Sequence, residues 1–385
     1  MRRRLGPVQP DFIAWGTIGD VKAFKPHLLA ISDYPYSARQ ALIKLDQNES
    51  PYGLPAELKS ELAQRLQAQP LNRYPQMHAE ALVERLADFE GWPQEGVVVG
   101  PGSNTIIYAL AGAAQRVLDV EPSFAHYRRS AELQGTPYQA VPLAEGFSLP
   151  REELLQALAA EQPAGVFFLP NPHTPSGNFF APELVYSLCE GAAQHDWLMI
   201  IDEAYYQFAP ADMKRQAMGQ PHLGILRTFS KAWGLAGARA GYLLASAEVV
   251  KLVRKLLPPF GVPSATVLTV ELALENPGYV AEHVEKVRRE RERLYLELKA
   301  HPSWRAYPSH TNFLLVATPD AETAFQALLK RGVLVRRQDH LPGLEGAIRV
   351  TIGTPVENDA FLQAAFEIAK EEELDKEKDD ASGED

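Results

Sequence analysis

The sequence predicts an α/β protein with a mixed, mostly parallel sheet flanked by helices, followed by a smaller α+β unit. The first observation is a set of short apolar runs at Val97–Val99, Val166–Leu169 and Leu198–Ile201. Continuous rather than alternating hydrophobicity indicates strands that are buried on both faces, as in parallel or mixed sheets. The second observation is that helical patterns, with apolar residues three and four positions apart, lie between these runs. Strand and helix therefore alternate over residues 97–244.

Taken in chain order, the elements follow from these two periodicities. Helices are predicted over Ala79–Phe89, Ile106–Val117, Glu152–Ala160 and Pro182–Gln194, and a further short strand over Ile225–Leu226. The smaller unit is predicted from strands at Asn312–Val316 and Ile348–Ile352 on either side of a helix at Ala321–Leu329. Four segments follow: an N-terminal arm (1–45), a large domain (46–270), a small C-terminal domain (271–370) and an acidic, disordered tail (371–385).

A long, highly charged helix is predicted over Ala281–Ala300, between the two units. Its buried seam is expected at Val284, Val287, Leu294 and Leu298. The arginines of this helix alternate with glutamates, which favours a solvated face of self-paired charges over a nucleic-acid surface.

Composition and charge exclude several classes of protein. The 385 residues are 46% hydrophobic and 23% charged, which is typical of a globular chain rather than a disordered, fibrous or membrane protein. The net charge of −11 argues against a polyanionic partner, and Lys370–Asp385 alone carries −6 of it. A single cysteine, Cys189, excludes an intrachain disulfide, and no signal peptide or long apolar segment is visible. A cytoplasmic location is therefore expected.

Unusual residues follow four of the predicted strands, at the sheet edge where ligands of open α/β sheets bind. The four loops are Gly100–Asn104, Asn171–Gly177, Asp202–Tyr205 and Arg227–Arg239. Glycines next to a helix N-terminus favour a phosphate in the first loop, although Thr105 stands where a dinucleotide-binding motif would have its third glycine.

Each loop alone has an ordinary structural explanation. The first can be a plain strand–turn–helix, Asp202 a helix cap, Lys231 a surface lysine and Arg239 a member of a salt bridge. Together, a phosphate cradle, a carboxylate, a phenol and a lysine are the set that holds pyridoxal phosphate, whose ring nitrogen needs an anion and whose aldehyde needs an amine.

These motifs resemble those of the class I/II (fold type I) pyridoxal-phosphate aminotransferases. Within that family the chain most resembles the histidinol-phosphate aminotransferases, and the resemblance covers residues 28–369. The motifs that carry it are Asn48-Glu-Ser-Pro-Tyr-Gly53, Leu71-Asn-Arg-Tyr-Pro75, Asn171–Gly177, Asp202-Glu-Ala-Tyr205, Leu226–Gly237 with Arg239, and Ile348–Thr354.

The resemblance implies a role for each matching residue around pyridoxal phosphate in the large domain. Lys231 would bond to the aldehyde and move the proton between the substrate Cα and the cofactor's C4′. Asp202 would keep the ring nitrogen protonated, Tyr205 would hydrogen-bond the phenolic oxygen, and Phe124 would stack on the ring. The phosphate would be held by Gly102, Ser103, Asn104, Thr228, Ser230 and Arg239, and by Tyr74 of a neighbouring subunit in a homodimer.

The substrate residues are also implied by the resemblance. Arg349 matches the clamp for the substrate carboxylate, and Arg336 matches the position that meets the phosphate of histidinol phosphate, although Arg337 is adjacent. Asn48 and an N-terminal tyrosine, Tyr34 or Tyr36, are expected at the substrate. The chain departs from the family at Thr174, where an asparagine is usual, and a threonine hydroxyl offers one donor instead of an amide group.

The expected function is therefore transamination between histidinol phosphate and 2-oxoglutarate in histidine biosynthesis. An aminotransferase for aromatic or other amino acids, or an enzyme like phosphothreonine decarboxylase, would share every cofactor residue. A catalytically silent binding module on the same fold is a more remote alternative.

Overall fold

The computed structural model describes residues 23–33, 39 and 41–382. The chain divides into two compact units, residues 1–37 and residues 38–385. In the first unit a short 3-10 turn is formed by Pro26–Ala30. The second unit contains the sheets and helices described below, and the domain limits expected at residues 45, 270 and 370 stay predictions.

The strands and helices of the second unit alternate over most of its length. The strands are β1 (Ile43–Lys44), β2 (Val97–Gly100), β3 (Val117–Glu121), β4 (Tyr138–Pro142), β5 (Val166–Pro170), β6 (Leu198–Asp202), β7 (Leu223–Thr228), β8 (Gly241–Leu244), β9 (Arg305–Ala306), β10 (Phe313–Ala317), β11 (Val333–Leu334), β12 (Arg336–Arg337) and β13 (Ala347–Thr351). The helices are α1 (Ala56–Ala68), α2 (Glu80–Glu90), α3 (Ser103–Ala113), α4 (His126–Gln134), α5 (Arg151–Leu158), α6 (Pro182–Gln194), α7 (Lys214–Ala217), α8 (Ala247–Leu256), α9 (Ser264–Glu275), α10 (Gly278–Leu298), α11 (Ala321–Lys330) and α12 (Pro355–Ser382).

A seven-stranded sheet forms the centre of this unit, in the order β2-β8-β7-β6-β5-β3-β4. Five of its strands, β3 to β7, are parallel to their neighbours among themselves, whereas β8 runs antiparallel to both β2 and β7. Every residue of β5 and β7 is buried, as expected for strands covered on both faces. The prediction of a mixed, mostly parallel sheet is confirmed.

A second, antiparallel sheet has the order β12-β13-β10-β9. Strand β1 pairs in parallel with β11, so residues 43–44 are tied to the C-terminal part of the chain. Helix α11 also packs in this region, which confirms the predicted combination of strands and a helix around Ala321–Leu329.

Three expectations about the helices need correction. The helix expected over Ile106–Val117 is α3, which starts at Ser103 and ends at Ala113, because Val117 already opens the buried strand β3. In α10 the seam is buried as expected, and Arg293 pairs with Glu290 and Glu297 along the helix. Arg288 and Arg291 instead donate to backbone carbonyls of Gln207, Ala209 and Thr311.

The third concerns the C-terminal segment. Helix α12 continues to Ser382 through most of the segment expected to lack structure. Glutamate and lysine are strong helix formers, so a charged segment can prolong a helix that packing has already started.

Candidate active site

The site lies at the edge of the central sheet where β5, β6 and β7 end side by side. In the register, Pro170 is opposite Asp202, and Asp202 is opposite Leu226, two residues before Thr228. The loops that begin at Asn171, Asp202 and Thr228 therefore leave the sheet at one edge. This arrangement follows from parallel strands whose carboxyl ends meet at the same edge.

Asp202 is a buried carboxylate with a hydrogen-bond donor on each oxygen. Tyr127 Oη donates to its Oδ2 at 2.8 Å, and the backbone N–H of Ala204 donates to its Oδ1 at 3.0 Å. Burial raises the pKa of Asp202 to about 6, and the two donors and the charge of Lys231 oppose that rise. The carboxylate is thus held so that it can meet a cationic ligand group.

Lys231 carries a reactive amine in this site. Its Nζ donates to the backbone oxygen of Gln47 at 3.0 Å and lies 5.9 Å from the centre of the Tyr205 ring. Burial, together with the positive charges of Arg349 and Arg239, lowers the pKa of Lys231 to about 7, while Glu49 and Asp202 act in the opposite direction. A large fraction of the amine is therefore neutral and nucleophilic near pH 7.

The Tyr205 phenol is buried and has two side-chain hydrogen-bond partners. Asn48 Nδ2 donates to Tyr205 Oη at 2.8 Å, and the Thr174 side chain hydrogen-bonds the same group. Burial raises the pKa of Tyr205, whereas Arg349, Asn48 and Thr174 lower it. The structure thus places the threonine that replaces the usual asparagine in contact with the predicted phenol.

An anion cradle is built where β2, β8 and β7 meet. Gly241 of β8 is paired with Gly100 on one side and with Thr228 on the other, and a β-carbon on Gly241 would collide with the backbone nitrogen of Ser103. The turn before α3 is thereby pressed against the end of β7. Only glycine permits this approach.

The cradle is rich in hydrogen-bond donors. Gly102 has a φ of 87°, and a β-carbon there would lie 2.7 Å from Nη2 of Arg239. Helix α3 starts at Ser103 without a side-chain cap, which leaves its first N–H groups for a ligand. The Thr228 and Ser230 hydroxyls lie 3.1 Å apart beside it. Backbone amides, two hydroxyls and a guanidinium suit a phosphate dianion, and Asn104 contributes to the first turn of α3.

Phe124 belongs to the same neighbourhood through Tyr127. The Phe124 ring is half-buried and meets the Tyr127 ring edge-on, with 5.4 Å between centroids and 86° between planes. Tyr127 in turn hydrogen-bonds Asp202. The sequence motifs did not indicate Tyr127, and the available signal was its position three residues after Phe124 at the start of a helix.

The two predicted substrate arginines face each other. Arg336 of β12 is directly opposite Arg349 of β13, so both side chains emerge on the same face of the antiparallel sheet. Arg349 Nη2 donates to the Asp46 carbonyl at 3.0 Å, and its guanidinium lies 5.4 Å from the centre of the Phe313 ring. Phe313 meets the Tyr205 ring edge-on at 5.4 Å, which links Arg349 to the site.

Arg337 is distinguished from Arg336 by its partners. Its guanidinium forms ion pairs with Glu322 and Asp339, and Nε donates to Asp339 Oδ1 at 3.0 Å. The next residue along a strand points to the opposite face, so Arg337 does not share the face of Arg336 and Arg349.

Three predicted residues, Tyr34, Tyr36 and Tyr74, are not placed in this cluster. Tyr34 lies outside the described residues, as does Tyr36. Tyr74 is 84% exposed, and its ring packs against Phe260 of the same chain at 5.0 Å.

This combination of fold and site defines a class of protein. The family model for "aminotransferase class I and II" matches residues 40–364. The chain belongs to the class I and II aminotransferase family, so it is an enzyme that exchanges amino groups between an amino donor and a keto acid.

Individual relatives narrow the comparison. A histidinol-phosphate aminotransferase of Deinococcus radiodurans is 45% identical over 88% of this chain and 94% of its own length. A histidinol-phosphate aminotransferase of Thermococcus gammatolerans is 38% identical over 91% of this chain and 96% of its own length. The solved structure of the Sinorhizobium meliloti histidinol-phosphate aminotransferase in complex with pyridoxal-5′-phosphate is 23% identical. It has a TM-score of 0.81 and covers 92% of this chain and 100% of that one, which confirms the predicted fold.

Two kinds of feature are absent from the described part of the chain. Over residues 23–33, 39 and 41–382, no helix is both long and apolar enough to cross a bilayer. Among those same residues, no group of three or more histidine, cysteine, aspartate or glutamate side chains is arranged to hold a metal ion.

Proposed function

We propose that this chain is a pyridoxal-phosphate-dependent histidinol-phosphate aminotransferase, which passes the amino group of histidinol phosphate to 2-oxoglutarate in histidine biosynthesis. The observation that carries the substrate assignment is the pairing of Arg336 with Arg349 across the β12–β13 ladder. One substrate presents a phosphate and the other presents carboxylates, and a guanidinium fork binds both kinds of anion with paired hydrogen bonds. The names of the relatives from D. radiodurans and T. gammatolerans support the same assignment.

The residues present fit the cofactor at both of its ends. The cradle of Gly102, Ser103, Asn104, Thr228, Ser230 and Arg239 would hold the phosphate, and each charge-assisted hydrogen bond would contribute about 1.5–3 kcal/mol. Asp202 would hold a proton on the ring nitrogen, and Phe124 would cover the ring. Tyr205, supported by Asn48 and Thr174, hydrogen-bonds the phenolic oxygen.

When bound, pyridoxal phosphate supplies an aldehyde that bonds covalently to amines and a ring that withdraws electrons from the substrate carbon. Lys231 would be the residue that transfers the proton. Because its pKa is lowered to about 7, its neutral amine would hold the cofactor at the aldehyde and would accept the proton that leaves the substrate Cα. Arg349 binds the carboxylate of glutamate or 2-oxoglutarate, and Arg336 binds the phosphate of histidinol phosphate.

The substrate assignment is tested by reversing the charge of Arg336. The variant Arg336→Glu should lower kcat/KM for histidinol phosphate by about 100-fold or more, because a cation that binds the phosphate becomes an anion that repels it. Turnover of an aromatic amino donor should be retained. The matched control is Arg337→Glu, whose native guanidinium is paired with Glu322 and Asp339, and which should leave histidinol-phosphate turnover nearly unchanged.

Other outcomes would select the alternatives. An equal loss for both donors would contradict the assignment of Arg336 and favour an aromatic or other amino-acid aminotransferase. Release of carbon dioxide from phosphothreonine, without transfer of its amino group, would favour the decarboxylase alternative. The cytoplasmic location expected from the sequence stays a prediction.

The proposal includes a homodimer in which Tyr74 completes the cradle of the neighbouring subunit. Two observations support it: Tyr74 is 84% exposed, and its ring packs on Phe260, another exposed apolar side chain. Phe260 contacts the Tyr74 ring, its backbone N–H donates to the Met77 carbonyl at 3.1 Å, and Leu71 is 79% exposed. Exposed apolar groups of this kind mark protein interfaces.

Mixed dimers test this arrangement directly. Tyr74→Ala and Lys231→Ala chains should each be inactive or weak alone, but mixing equal amounts should restore about a quarter of the wild-type activity, because half of the dimers then hold one intact site. Lys231→Ala mixed with Arg239→Ala is the control, since both residues belong to the same subunit's site and no intact site can form. Absence of recovery in the first mixture, with dimers demonstrated by sedimentation, would contradict the role of Tyr74.

A further inference from the structure

Tyr127 is a fully buried tyrosine that none of the proposed roles uses. It lies in the first turn of α4 with 0% exposure. Its ring stacks on Phe168 of β5, with centroids 4.9 Å apart and planes at 3°, and meets Phe124 edge-on. These two contacts fix the ring, and the only rotatable polar atom, Oη, points at Asp202 Oδ2 at 2.8 Å.

The hydrogen bond has a definite direction. Burial raises the pKa of Tyr127 well above its ordinary value, and the charges of Asp202 and Asp119 add to that rise. The phenol therefore keeps its proton and donates the hydrogen bond to Asp202. A donor to a carboxylate stabilises the ionised form. For Asp202 this opposes burial, which favours the protonated form.

The second donor to Asp202 cannot replace the first. The Ala204 amide binds Oδ1, two residues along the same chain segment, whereas Tyr127 approaches Oδ2 from a different element. Together the two hydrogen bonds hold the Asp202 carboxylate in one orientation. The groups that face it are Tyr127 on α4, Lys231 after β7 and Tyr205 in its own loop.

We propose that Tyr127 is a positioning residue for the transamination reaction, which holds the Asp202 carboxylate ionised and aimed at the cofactor's ring nitrogen. The inference rests on the proposed function, since it assigns Asp202 to that nitrogen. The Tyr127 phenol would act through Asp202 and would touch neither the substrate nor the reacting atoms. The same ring supports Phe124, so one side chain fixes the partner of the ring nitrogen and backs the aromatic that covers the ring face.

The test is Tyr127→Phe, which keeps both ring contacts and removes only the hydroxyl. Its dissociation constant for pyridoxal phosphate, measured by tryptophan fluorescence on cofactor-free protein, should be about 10-fold weaker than that of the wild type. The dissociation constant for the analogue in which the ring nitrogen is replaced by carbon should not change. A purely structural role would weaken both ligands alike.

Two controls sharpen the experiment. Tyr138→Phe removes a hydroxyl that donates at 3.0 Å to another buried carboxylate, Asp119, and should leave both dissociation constants unchanged. In an Asp202→Asn background, Tyr127→Phe should have no further effect on the affinity for pyridoxal phosphate, because the residue through which it acts has already lost its charge.

The outcomes separate this inference from the proposed function. Wild-type protein that binds neither ligand would overturn the proposed function itself. Wild-type protein that prefers pyridoxal phosphate to the carbon analogue would support it. Against that result, a Tyr127→Phe variant that loses no affinity, or loses it equally for both ligands, would overturn the role of Tyr127 alone.

Discussion

Lys231→Ala is expected to lower kcat by about 10⁴-fold, because general acid–base catalysis alone commonly contributes 10²–10⁴ and the same amine also binds the cofactor covalently. Reduction of the wild type with borohydride in the presence of pyridoxal phosphate should attach the cofactor to the peptide that contains Lys231. The variant should show no such attachment. Lys251→Ala, which removes an exposed lysine of α8, is the matched control and should behave as wild type.

The pH dependence of attachment follows from the position of the Lys231 pKa. Below about pH 7 the folded protein holds the amine protonated and unreactive, and above it the amine is neutral. The rate of attachment should therefore rise through pH 7, three units below the range of an ordinary lysine. A midpoint near 10, or attachment at another lysine, would contradict the assignment. A wild type that stays colourless when supplied with cofactor would favour the silent binding module.

The residues of the proposed site were predictable because the apolar runs in the sequence show where the buried strands end. Asp202 is the last residue of β6 and Thr228 the last of β7, and the apolar runs that precede them predict strands. A parallel sheet brings such ends together without any knowledge of strand order. The loop from Arg227 to Arg239 could therefore be linked to the Asp202 loop from sequence alone.

Contacts between distant segments were not predictable. Asn48 and Tyr205 are 157 residues apart, and Asn48 reaches the phenol because its own N–H is held by Thr351, 303 residues further along the chain. Nothing in the local pattern around Asn48 specifies these partners. The two-residue strands β1, β9, β11 and β12 were missed for a related reason, since a periodicity cannot be recognised over two residues.

For the arginine pair, the strand register adds information that the sequence motif does not contain. Resemblance indicated Arg336 but left Arg337 beside it as a candidate, and a sequence has no means of saying which faces Arg349. The β12–β13 ladder decides it, because Arg336 is opposite Arg349 whereas Arg337 is opposite Ile348. A shift of one residue would exchange the two faces. The substrate assignment therefore depends on pairing geometry rather than on the presence of arginines.

The second large effect is expected for stability, at Arg227→Met. The Arg227 guanidinium is buried among three carboxylates: Nη1 donates to Glu90 at 2.8 Å, Nη2 to Glu203 at 2.7 Å and Nη2 to Asp212 at 2.8 Å. It also lies 3.7 Å from the centre of the Tyr206 ring. Removing one partner of a buried ionic network costs about 3–5 kcal/mol, because a buried charge loses its compensation, here above all the Glu203 carboxylate. The urea midpoint of unfolding should fall accordingly.

Two comparisons distinguish lost charge compensation from lost packing. Arg128→Met removes a similar combination, an ion pair with Glu121 at 3.1 Å and a contact with the Tyr138 ring, but at an exposed position, where about 1 kcal/mol or less is expected. Adding Glu203→Gln to Arg227→Met should restore part of the lost stability, because it removes the buried charge that has lost its partner.

The pH dependence of the Arg227→Met deficit follows from Glu203. Burial already raises the pKa of Glu203 to about 7, and Arg227 opposes that rise, so the variant should hold this group protonated at still higher pH. A carboxyl whose folded pKa lies above its unfolded value costs stability once the pH exceeds the unfolded value. The deficit relative to wild type should therefore be larger at pH 8 than at pH 5.5. A deficit that is the same at both pH values and is unaffected by Glu203→Gln would show that packing, not charge, is what Arg227 supplies.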